Sequence, residues 1–364
     1  MNKLSYIISA LLISFATKSV AAKDKIHALY IPLADHYPAI VAHDKYAKEM
    51  KHADYSVEMM KSWPALSGKF MSGQADIAFI VSPLAMNMYR KKGNFQMVSL
   101  AHRDGNALAV NDEFLKDIAL EAERSNRKPT EQFAKAAKKW RDSTGKATIS
   151  GVPSLESTHT VVLYKYLKDN GLKLAVGRGE GDVLAKSVAP PKSPSYIKNQ
   201  AKAGIPASFE QSLPWADVVE SQGFGKVVWY SKDIIPWNNG HVECIIIATN
   251  DAIINKKEAL KEVIEYIHKA GADIQNAMVN GGTELKELAT IINNKYVKLH
   301  SVESIEASLS SELDVINYKN LNNDEAGLKV IMDLAVESGV MPSPIDIEAF
   351  SNKEFSVDLT SSQK

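Results

Sequence analysis

The order of apolar and polar residues predicts short strands alternating with helices. Apolar residues recur at helical spacing over 62–71, Gly73 interrupts the pattern, and the continuous apolar run 77–81 is typical of a buried strand. Ser82 and Pro83 then predict a helix that begins at the end of the strand, with Ser82 at its N-cap. Such a corner presents free backbone N–H groups to a polar or anionic ligand, although every α/β fold contains turns of this kind.

Similar apolar runs predict strands along most of the chain. From residue 256 onward the pattern becomes mostly helical and amphipathic, which predicts helices on the outside of the first of two lobes. The alternation indicates an α/β fold. The remaining predicted strands are 26–33, 55–60, 96–101, 107–110, 148–152, 227–230 and 242–249.

One arrangement of elements occurs twice. In residues 62–83 and again in 201–223, a glycine ends a helix, a segment of five or six residues follows, and a Ser- and Pro-containing turn starts the next helix. In the second copy the short segment is 205–210. Two copies of one unit predict two similar lobes, each offering a helix start to a shared cleft.

The N-terminus has the features of a secretory signal peptide. Lys3 precedes an apolar run that ends near Ala16, and the small residues Val20, Ala21 and Ala22 provide a cleavage site. The apolar run is shorter than the roughly 20 residues of a membrane-spanning helix. We expect cleavage after Ala22, and since no cysteine lies nearby, we expect no lipid anchor.

Composition narrows the possible partners. Residues 1–22 contain two lysines and no acidic residue, so the other 342 residues carry 41 basic against 43 acidic side chains, a net charge of −2. A dispersed, nearly neutral charge gives no reason to expect nucleic-acid binding. The one cysteine, Cys244, has no partner for a disulfide and lies in the apolar run CIIIA, so we expect a buried core thiol.

Polar residues follow several of the predicted strands, where open α/β sheets bind their ligands. Asp35, His36 and Tyr37 follow the first strand, and His159 lies after a hydroxyl-rich loop that leads into a helix. Each histidine could equally be an ordinary loop residue. A metal cluster of His36, His159 and His241 is an alternative, but the three lie in separate loops without the spacing of a metal motif.

Six segments together resemble a known family: SWPALSGKFMSGQADIAFIVSPLAM, DGNALAV, THTVVLYKYLKDNGL, VAPP, LPWADVVESQGFGKVV and HVECIIIATNDAI. Their order and spacing resemble the periplasmic substrate-binding proteins of nitrate, bicarbonate and sulfonate ABC importers, over about residues 25–275. The nitrate- and bicarbonate-binding branch is the most similar. The resemblance implies an α/β, two-lobe periplasmic binding protein fold (type II) with extra C-terminal helices. The implied divisions are a signal peptide (1–22), the first part of lobe 1 (23–106), lobe 2 (107–241), and the return to lobe 1 with the C-terminal helices (242–364).

The resemblance also implies roles for individual positions. Trp63 matches a ligand-facing tryptophan, Asn106 matches a polar amide after glycine, and His159 matches a histidine before the lobe 2 helix. Ser212 falls where the family has glycine. The nitrate-type run His-Pro-Glu-Lys is replaced here by residues 241–244, HVEC, which removes a cation suited to balance a bound anion.

The predicted function is a periplasmic solute receptor without catalytic residues, cofactor or metal. A small anion or zwitterion would bind between the lobes as they close about the crossing strands 107–110 and 242–248. Asp35 and Glu210 favour a ligand with an ammonium group or an accompanying cation, because unpaired like charges in a closed cleft are costly. The expected partner is an ABC permease of the inner membrane, and we expect a monomer. The predicted ligand-binding residues are Asp35, His36, Tyr37, Trp63, Ser82, Asn106, His159, Glu210, Gln211 and Ser212.

Other functions fit the same fold. An enzyme or binder acting on a pyrimidine or thiamine precursor is one alternative, although the sequence has no cysteine-rich iron site. A protein that presents its ligand to a membrane sensor is another. Product formation from a candidate substrate would favour the enzyme.

Overall fold

The computed structural model describes residues 22–358. The predicted signal peptide therefore lies outside the described residues, apart from its last residue, Ala22. Within 22–358, none of the helices combines the length and the apolar character that crossing a bilayer requires.

The strands are short and mostly buried, as the apolar runs predict. The run 77–81 and the run 148–152 are found as strands with those bounds. The strands are β1 (Asp24–Tyr30), β2 (Ala53–Met59), β3 (Ile77–Val81), β4 (Phe95–Leu100), β5 (Arg103–Asp104), β6 (Asn106–Asn111), β7 (Thr148–Val152), β8 (Leu174–Val176), β9 (Val183–Ser187), β10 (Ala207–Ser212), β11 (Gly225–Tyr230), β12 (Cys244–Thr249) and β13 (Ile316–Asn317).

Helices separate most of the strands. A π-helical turn, Ile292–Val297, directly follows the helix Gly282–Ile291. The α-helices are α1 (Tyr37–Tyr46), α2 (Trp63–Met71), α3 (Ser82–Lys92), α4 (Asp112–Leu115), α5 (Gln132–Thr144), α6 (Thr158–Asp169), α7 (Ser193–Lys202), α8 (Trp215–Ser221), α9 (Asn250–Asn255), α10 (Lys257–Asn280), α11 (Gly282–Ile291), α12 (Val302–Ser308), α13 (Glu325–Glu337) and α14 (Ile347–Phe350).

Two sheets form the cores of two lobes. The first sheet has the strand order β2-β1-β3-β12-β4, with β1 parallel to β2 and β3, and β12 antiparallel to both of its neighbours. The second sheet has the order β11-β6-β10-β7-β9-β8. We call the first sheet with its flanking helices the first lobe and the second sheet with its helices the second lobe. The α/β class predicted from the sequence is confirmed, while the exact domain boundaries remain a prediction.

The chain crosses between the lobes through two segments that lie side by side, 101–105 and 241–244. The Ala101 amide donates to the Cys244 carbonyl at 2.9 Å, and the Asp104 amide donates to the His241 carbonyl at 3.0 Å. Arg103 and Val242 form an antiparallel bridge at the same place. The paired segments lie just before the strand residues 107–110, which were predicted to absorb the closure, and overlap the start of 242–248.

A third segment joins the crossing from the C-terminal part of the chain. Strand β13 pairs with β5, and the Gly105 amide donates to the Val315 carbonyl at 2.7 Å. Helix α10 packs on α1, within the first lobe, as predicted. The prediction that all later helices cover the first lobe is wrong, since α12 contacts α8 and α13 contacts α6, both in the second lobe. The C-terminal helices therefore span both lobes.

Two local predictions also need correction. Ser82 is the first residue of α3 and not its N-cap, and its hydroxyl makes no capping hydrogen bond, because the strand continues to Val81 and turns into the helix without a loop. The short segment predicted at 205–210 is the strand Ala207–Ser212, two residues later. The shift places Ser212 at the last position of the strand, against the first lobe.

Candidate functional site

The two lobes meet at the ends of β1 and β10. Asp35 follows β1 in a single 3₁₀ turn, and Ser212 is the last residue of β10. The Ser212 hydroxyl donates to Asp35 Oδ2 at 2.6 Å, and the Ala34 amide donates to the Leu213 carbonyl at 2.9 Å. These hydrogen bonds hold the two lobes in a closed arrangement.

His159 extends this contact within the second lobe. It lies in the first turn of α6, whose N-cap Ser157 accepts a hydrogen bond from the Thr160 amide. His159 Nε2 lies 2.9 Å from Ser212 Oγ. His159 Nδ1 has no hydrogen-bond partner among the described residues.

Glu243 and His102 form the centre of the cluster, at the two crossing segments. His102 Nε2 donates to Glu243 Oε2 at 2.9 Å and lies 3.6 Å from Asp35 Oδ1. Glu243 Oε1 lies 3.4 Å from His159 Nδ1 and accepts from Asn106 Nδ2 at 3.4 Å. The Cys244 thiol lies 3.7 Å from Asp35 Oδ2. One buried network therefore joins both lobes and both crossings.

The network is sealed from solvent. Asp35, His36, His102, His159, Glu210 and Glu243 each have 0% exposure. Several of its polar atoms nevertheless lack a hydrogen-bond partner, which is rare for buried groups in native proteins and marks a place where a bound molecule would supply one. The unpartnered atoms include Asp35 Oδ1, His36 Nε2, Tyr37 Oη, Trp63 Nε1, Ser82 Oγ, Asn106 Oδ1, His159 Nδ1, both carboxylate oxygens of Glu210 and Gln211 Oε1.

The charges in the network are mainly acidic. Within residues 22–358, the ion-pair partners of Asp35 and Glu243 are imidazoles, and Glu210 has none. Burial raises the pKa of Asp35 to about 7, only partly offset by the charge of His102. Burial, reinforced by the charges of Glu243 and Asp35, raises the pKa of Glu210 well above its usual range.

The pKa values of the buried imidazoles shift in opposite directions. Burial opposes protonation of His102, but the Asp35 and Glu243 carboxylates outweigh it and raise the His102 pKa. Burial lowers the pKa of His36 to about 3 and that of His159 to about 4. For Glu243, burial is outweighed by the hydrogen bond from His102 and the nearby imidazoles, so its pKa falls to about 2. The His102 imidazole and the Glu243 carboxylate therefore stabilise each other's charged forms.

The other predicted site residues lie around this network. Trp63 and His36 meet edge-on, with ring centroids 5.8 Å apart, and both are buried. The Ser82 amide donates to the Glu243 carbonyl at 3.0 Å. The Gln211 amide nitrogen donates within the second lobe, to the Val188 carbonyl at 2.9 Å and Ser193 Oγ at 2.7 Å.

The ten residues predicted to bind a ligand are thus all buried. The structure links four of them directly to the network: Asp35, Asn106, His159 and Ser212. Tyr37 and Glu210 are close enough for the charge of Asp35 to act on their pKa values. Their role in ligand binding remains a prediction.

Sequence reasoning missed three members of the network: His102, Glu243 and Cys244. His102 and Glu243 were not among the predicted ligand-binding residues, and Cys244 was interpreted as a core thiol. Cys244 is indeed buried, but it also faces Asp35. The replacement of a family Lys in the HVEC run was the available signal, because a change of charge at a strand start points to a change of ligand.

Two α/β lobes, joined by paired crossings and closed over a polar cluster, define the periplasmic binding protein fold. The nitrate-binding protein NrtA from Synechocystis PCC 6803 is similar, with a TM-score of 0.73 and 16% identity over 92% of this chain and 87% of that one. A ligand-binding component of an ABC-type import system from Staphylococcus aureus, solved with zinc bound, has a TM-score of 0.69 and 18% identity, covering 92% and 98%. The aliphatic sulphonate-binding protein SsuA from Escherichia coli has a TM-score of 0.63 and 11% identity, covering 93% and 94%.

Residues 21–292 match the NMT1-like family, and the chain belongs to that family. A comparison with curated protein sequences gives no match. The predicted type of fold and the resemblance to the nitrate- and sulfonate-binding proteins are confirmed.

Proposed function

We propose that this protein is the solute-binding component of an ABC-type importer and that it holds its solute in the closed network between the lobes. The observation that carries the proposal is the set of unpartnered, fully buried polar atoms contributed by both lobes, among them Asp35 Oδ1, His159 Nδ1 and both oxygens of Glu210. A bound molecule that supplies partners for these atoms would repay their desolvation.

The proposed cycle is one of opening, capture and closure. In the open state Asp35 and Ser212 separate and solvate, and solute binding restores the contact between the lobes. The paired segments 101–105 and 241–244 would act as the hinge, since the chain passes between the lobes there. The proposal includes no catalytic step. A periplasmic location and an ABC permease as partner belong to the same proposal, supported by the similarity to NrtA and SsuA.

The solute would be a small anion or zwitterion of the nitrate, sulfonate and bicarbonate class, and the charge of the site favours particular members. Three carboxyl groups face the site. Among the described residues, Asp35 and Glu243 have imidazoles as their ion-pair partners, and Glu210 has no ion-pair partner. A bare anion would favour the protonated, neutral forms of Asp35 and Glu210, whereas an ammonium group or a cation would pair with their ionised forms. The site therefore favours a zwitterion with an ammonium group or an anion that arrives with a cation.

Calorimetry of the mature protein against nitrate, bicarbonate, taurine and an alkanesulfonate tests the proposal, together with native mass spectrometry of protein purified without refolding. We expect heat with at least one solute or a captured mass. The variant Glu210→Gln should weaken binding of an ammonium-bearing solute by tenfold or more, whereas Glu180→Gln, on an exposed loop, should leave it unchanged. A folded protein with neither heat nor added mass contradicts the proposal.

A further inference from the structure

Four side chains of the network indicate what kind of cation would bind there. Asp35, His102, Glu243 and Cys244 each offer one ligand atom, and these atoms all lie within 4.8 Å of one another. We infer that the four residues bind a divalent transition-metal ion, with Zn²⁺ as the representative case. This inference rests on the proposed function, because it names the cation that would occupy the same cleft.

The spacing fits metal coordination. Two ligands of one tetrahedral zinc ion lie about 3.3–3.8 Å apart, given bonds of about 2.0 Å to nitrogen or oxygen and 2.3 Å to sulfur. Cys244 Sγ is 3.7 Å from Asp35 Oδ2, and His102 Nε2 is 3.6 Å from Asp35 Oδ1. The 2.9 Å hydrogen bond between His102 and Glu243 would be replaced by two metal bonds. Since these two distances involve different oxygens of Asp35, its carboxylate would turn to place one oxygen near both ligands, and separations of up to 4.8 Å would shorten by about 1 Å.

The ligand types select the class of metal. Thiolate and imidazole are ligands of Zn²⁺ and its softer neighbours, whereas Ca²⁺ and Mg²⁺ are bound by oxygen. A divalent ion would also offset two of the three negative charges of Asp35, Glu243 and the Cys244 thiolate, a group that is neutral in an apolar site without a metal.

Two further observations point to a cation at this place. Asp35 Oδ1 is fully buried and has no hydrogen-bond partner, although it faces His102. His159 Nδ1, which also has no hydrogen-bond partner among residues 22–358, lies 3.4 Å from Glu243 Oε1. Neither of these two observations involves the Cys244 thiol.

Residues around the four ligands are placed to orient them. Ser212 donates to Asp35 Oδ2, and Asn106 donates to Glu243 Oε1. Outer hydrogen bonds of this kind fix the orientation of metal ligands. Because Ser212 belongs to the second lobe and Asp35 to the first, the metal would be held most tightly when the lobes are closed.

The test uses the mature chain, freed of metal with a chelator and titrated with Co²⁺ and with Zn²⁺. Wild-type protein should bind one equivalent of Co²⁺ and show the near-ultraviolet charge-transfer band of a cobalt–thiolate bond. Cys244→Ser should lose that band and bind Zn²⁺ at least tenfold more weakly, with a cooperative melt showing that it is folded. His52→Ala, which removes an exposed histidine, should match wild type.

Titrations of Zn²⁺ with and without bicarbonate or taurine distinguish a free ion from a metal–solute complex. A solute that binds only to Zn²⁺-loaded protein indicates that the metal bridges protein and solute. If neither bicarbonate nor taurine changes the binding of Zn²⁺, the site binds the ion without a solute. Absence of the cobalt–thiolate band in wild type, or equal Zn²⁺ affinity in Cys244→Ser, overturns the metal site. If the cobalt–thiolate band is absent and solute still binds in the presence of chelator, only the metal inference fails; if neither metal nor solute binds, the proposed function fails as well.

Discussion

Ser212 and Asp35 lie 177 positions apart in the chain and are joined by a 2.6 Å hydrogen bond that connects the two lobes. Both side chains have 0% exposure. Since Asp35 is bonded to the second lobe through Ser212 and also lies against His102 and Cys244 of the crossings, it is where closure of the lobes and the chemistry of the site are coupled.

Removing the Ser212 hydroxyl should favour the open state. A hydrogen bond to a charged group contributes about 1.5–3 kcal/mol, and Ser212→Ala removes it only from the closed arrangement. We expect a larger radius of gyration by small-angle X-ray scattering. Ser208→Ala is the matched control, because Ser208 is a buried serine of the same strand whose hydroxyl has no partner. Equal radii for Ser212→Ala and wild type would contradict this role.

Acid should destabilise the protein through His268. Burial lowers the His268 pKa from its ordinary 6.5 to about 4, and Nε2 lies 2.9 Å from Ser99 Oγ. Because the folded pKa is the lower one, the stabilisation is complete above pH 6.5 and is lost as the pH falls toward 4. The loss should be about 2 kcal/mol by pH 5.

Urea unfolding at pH 7 and pH 5 measures this effect. His268→Gln should lose less stability on acidification than wild type, by about that amount. His52→Gln, at an exposed position, should behave like wild type. An identical pH dependence in His268→Gln would show that other groups cause the acid effect.

Arg103 should be essential for holding the C-terminal part of the chain against the crossing segments. It is 1% exposed, and its guanidinium donates to Asp324 Oδ2 at 2.9 Å and to the carbonyls of Gly240 and Asn320. Arg103→Met removes these hydrogen bonds and the ion pair with Asp324, whose Oδ2 keeps only its bond from the Trp237 indole, and should lower the free energy of unfolding by about 3 kcal/mol. Arg103→Lys should restore only part of the stability, because lysine offers three donors on one nitrogen, whereas the guanidinium has five donors spread over three nitrogens. Arg178→Met, at an exposed position, should change the free energy of unfolding by under about 0.5 kcal/mol.

Gly225 should tolerate no side chain. A Cβ there would lie 2.2 Å from the Val110 carbonyl oxygen and 2.6 Å from Val219 Cγ1, so the pairing of β11 with β6 would have to open. Gly225→Ala should lower the free energy of unfolding by about 2 kcal/mol, as measured by thermal or chemical unfolding. The control Gly68→Ala, on the exposed side of α2 with open space around it, should instead stabilise by about 0.5–1 kcal/mol.

Much of the local structure could be predicted because short apolar runs and turn residues fix it locally. The strands Ile77–Val81 and Thr148–Val152 have the predicted bounds. The failures arose where tertiary contacts decide. At Ser82 the chain turns directly from strand to helix, and β10 runs two residues further than its apolar pattern because its pairing with β6 continues as far as Ser212, opposite Asn106.

By itself, the sequence determined the α/β class, the family resemblance, and the polar residues at strand ends, among them Asp35, His159 and Ser212. Only the tertiary structure decided that Glu243 and Cys244, 208 and 209 positions after Asp35, meet that carboxylate together with His102. Hydrophobic periodicity reports which side chains are buried. It carries no information on which buried side chains face one another when two lobes close, because that depends on how the crossing segments pair.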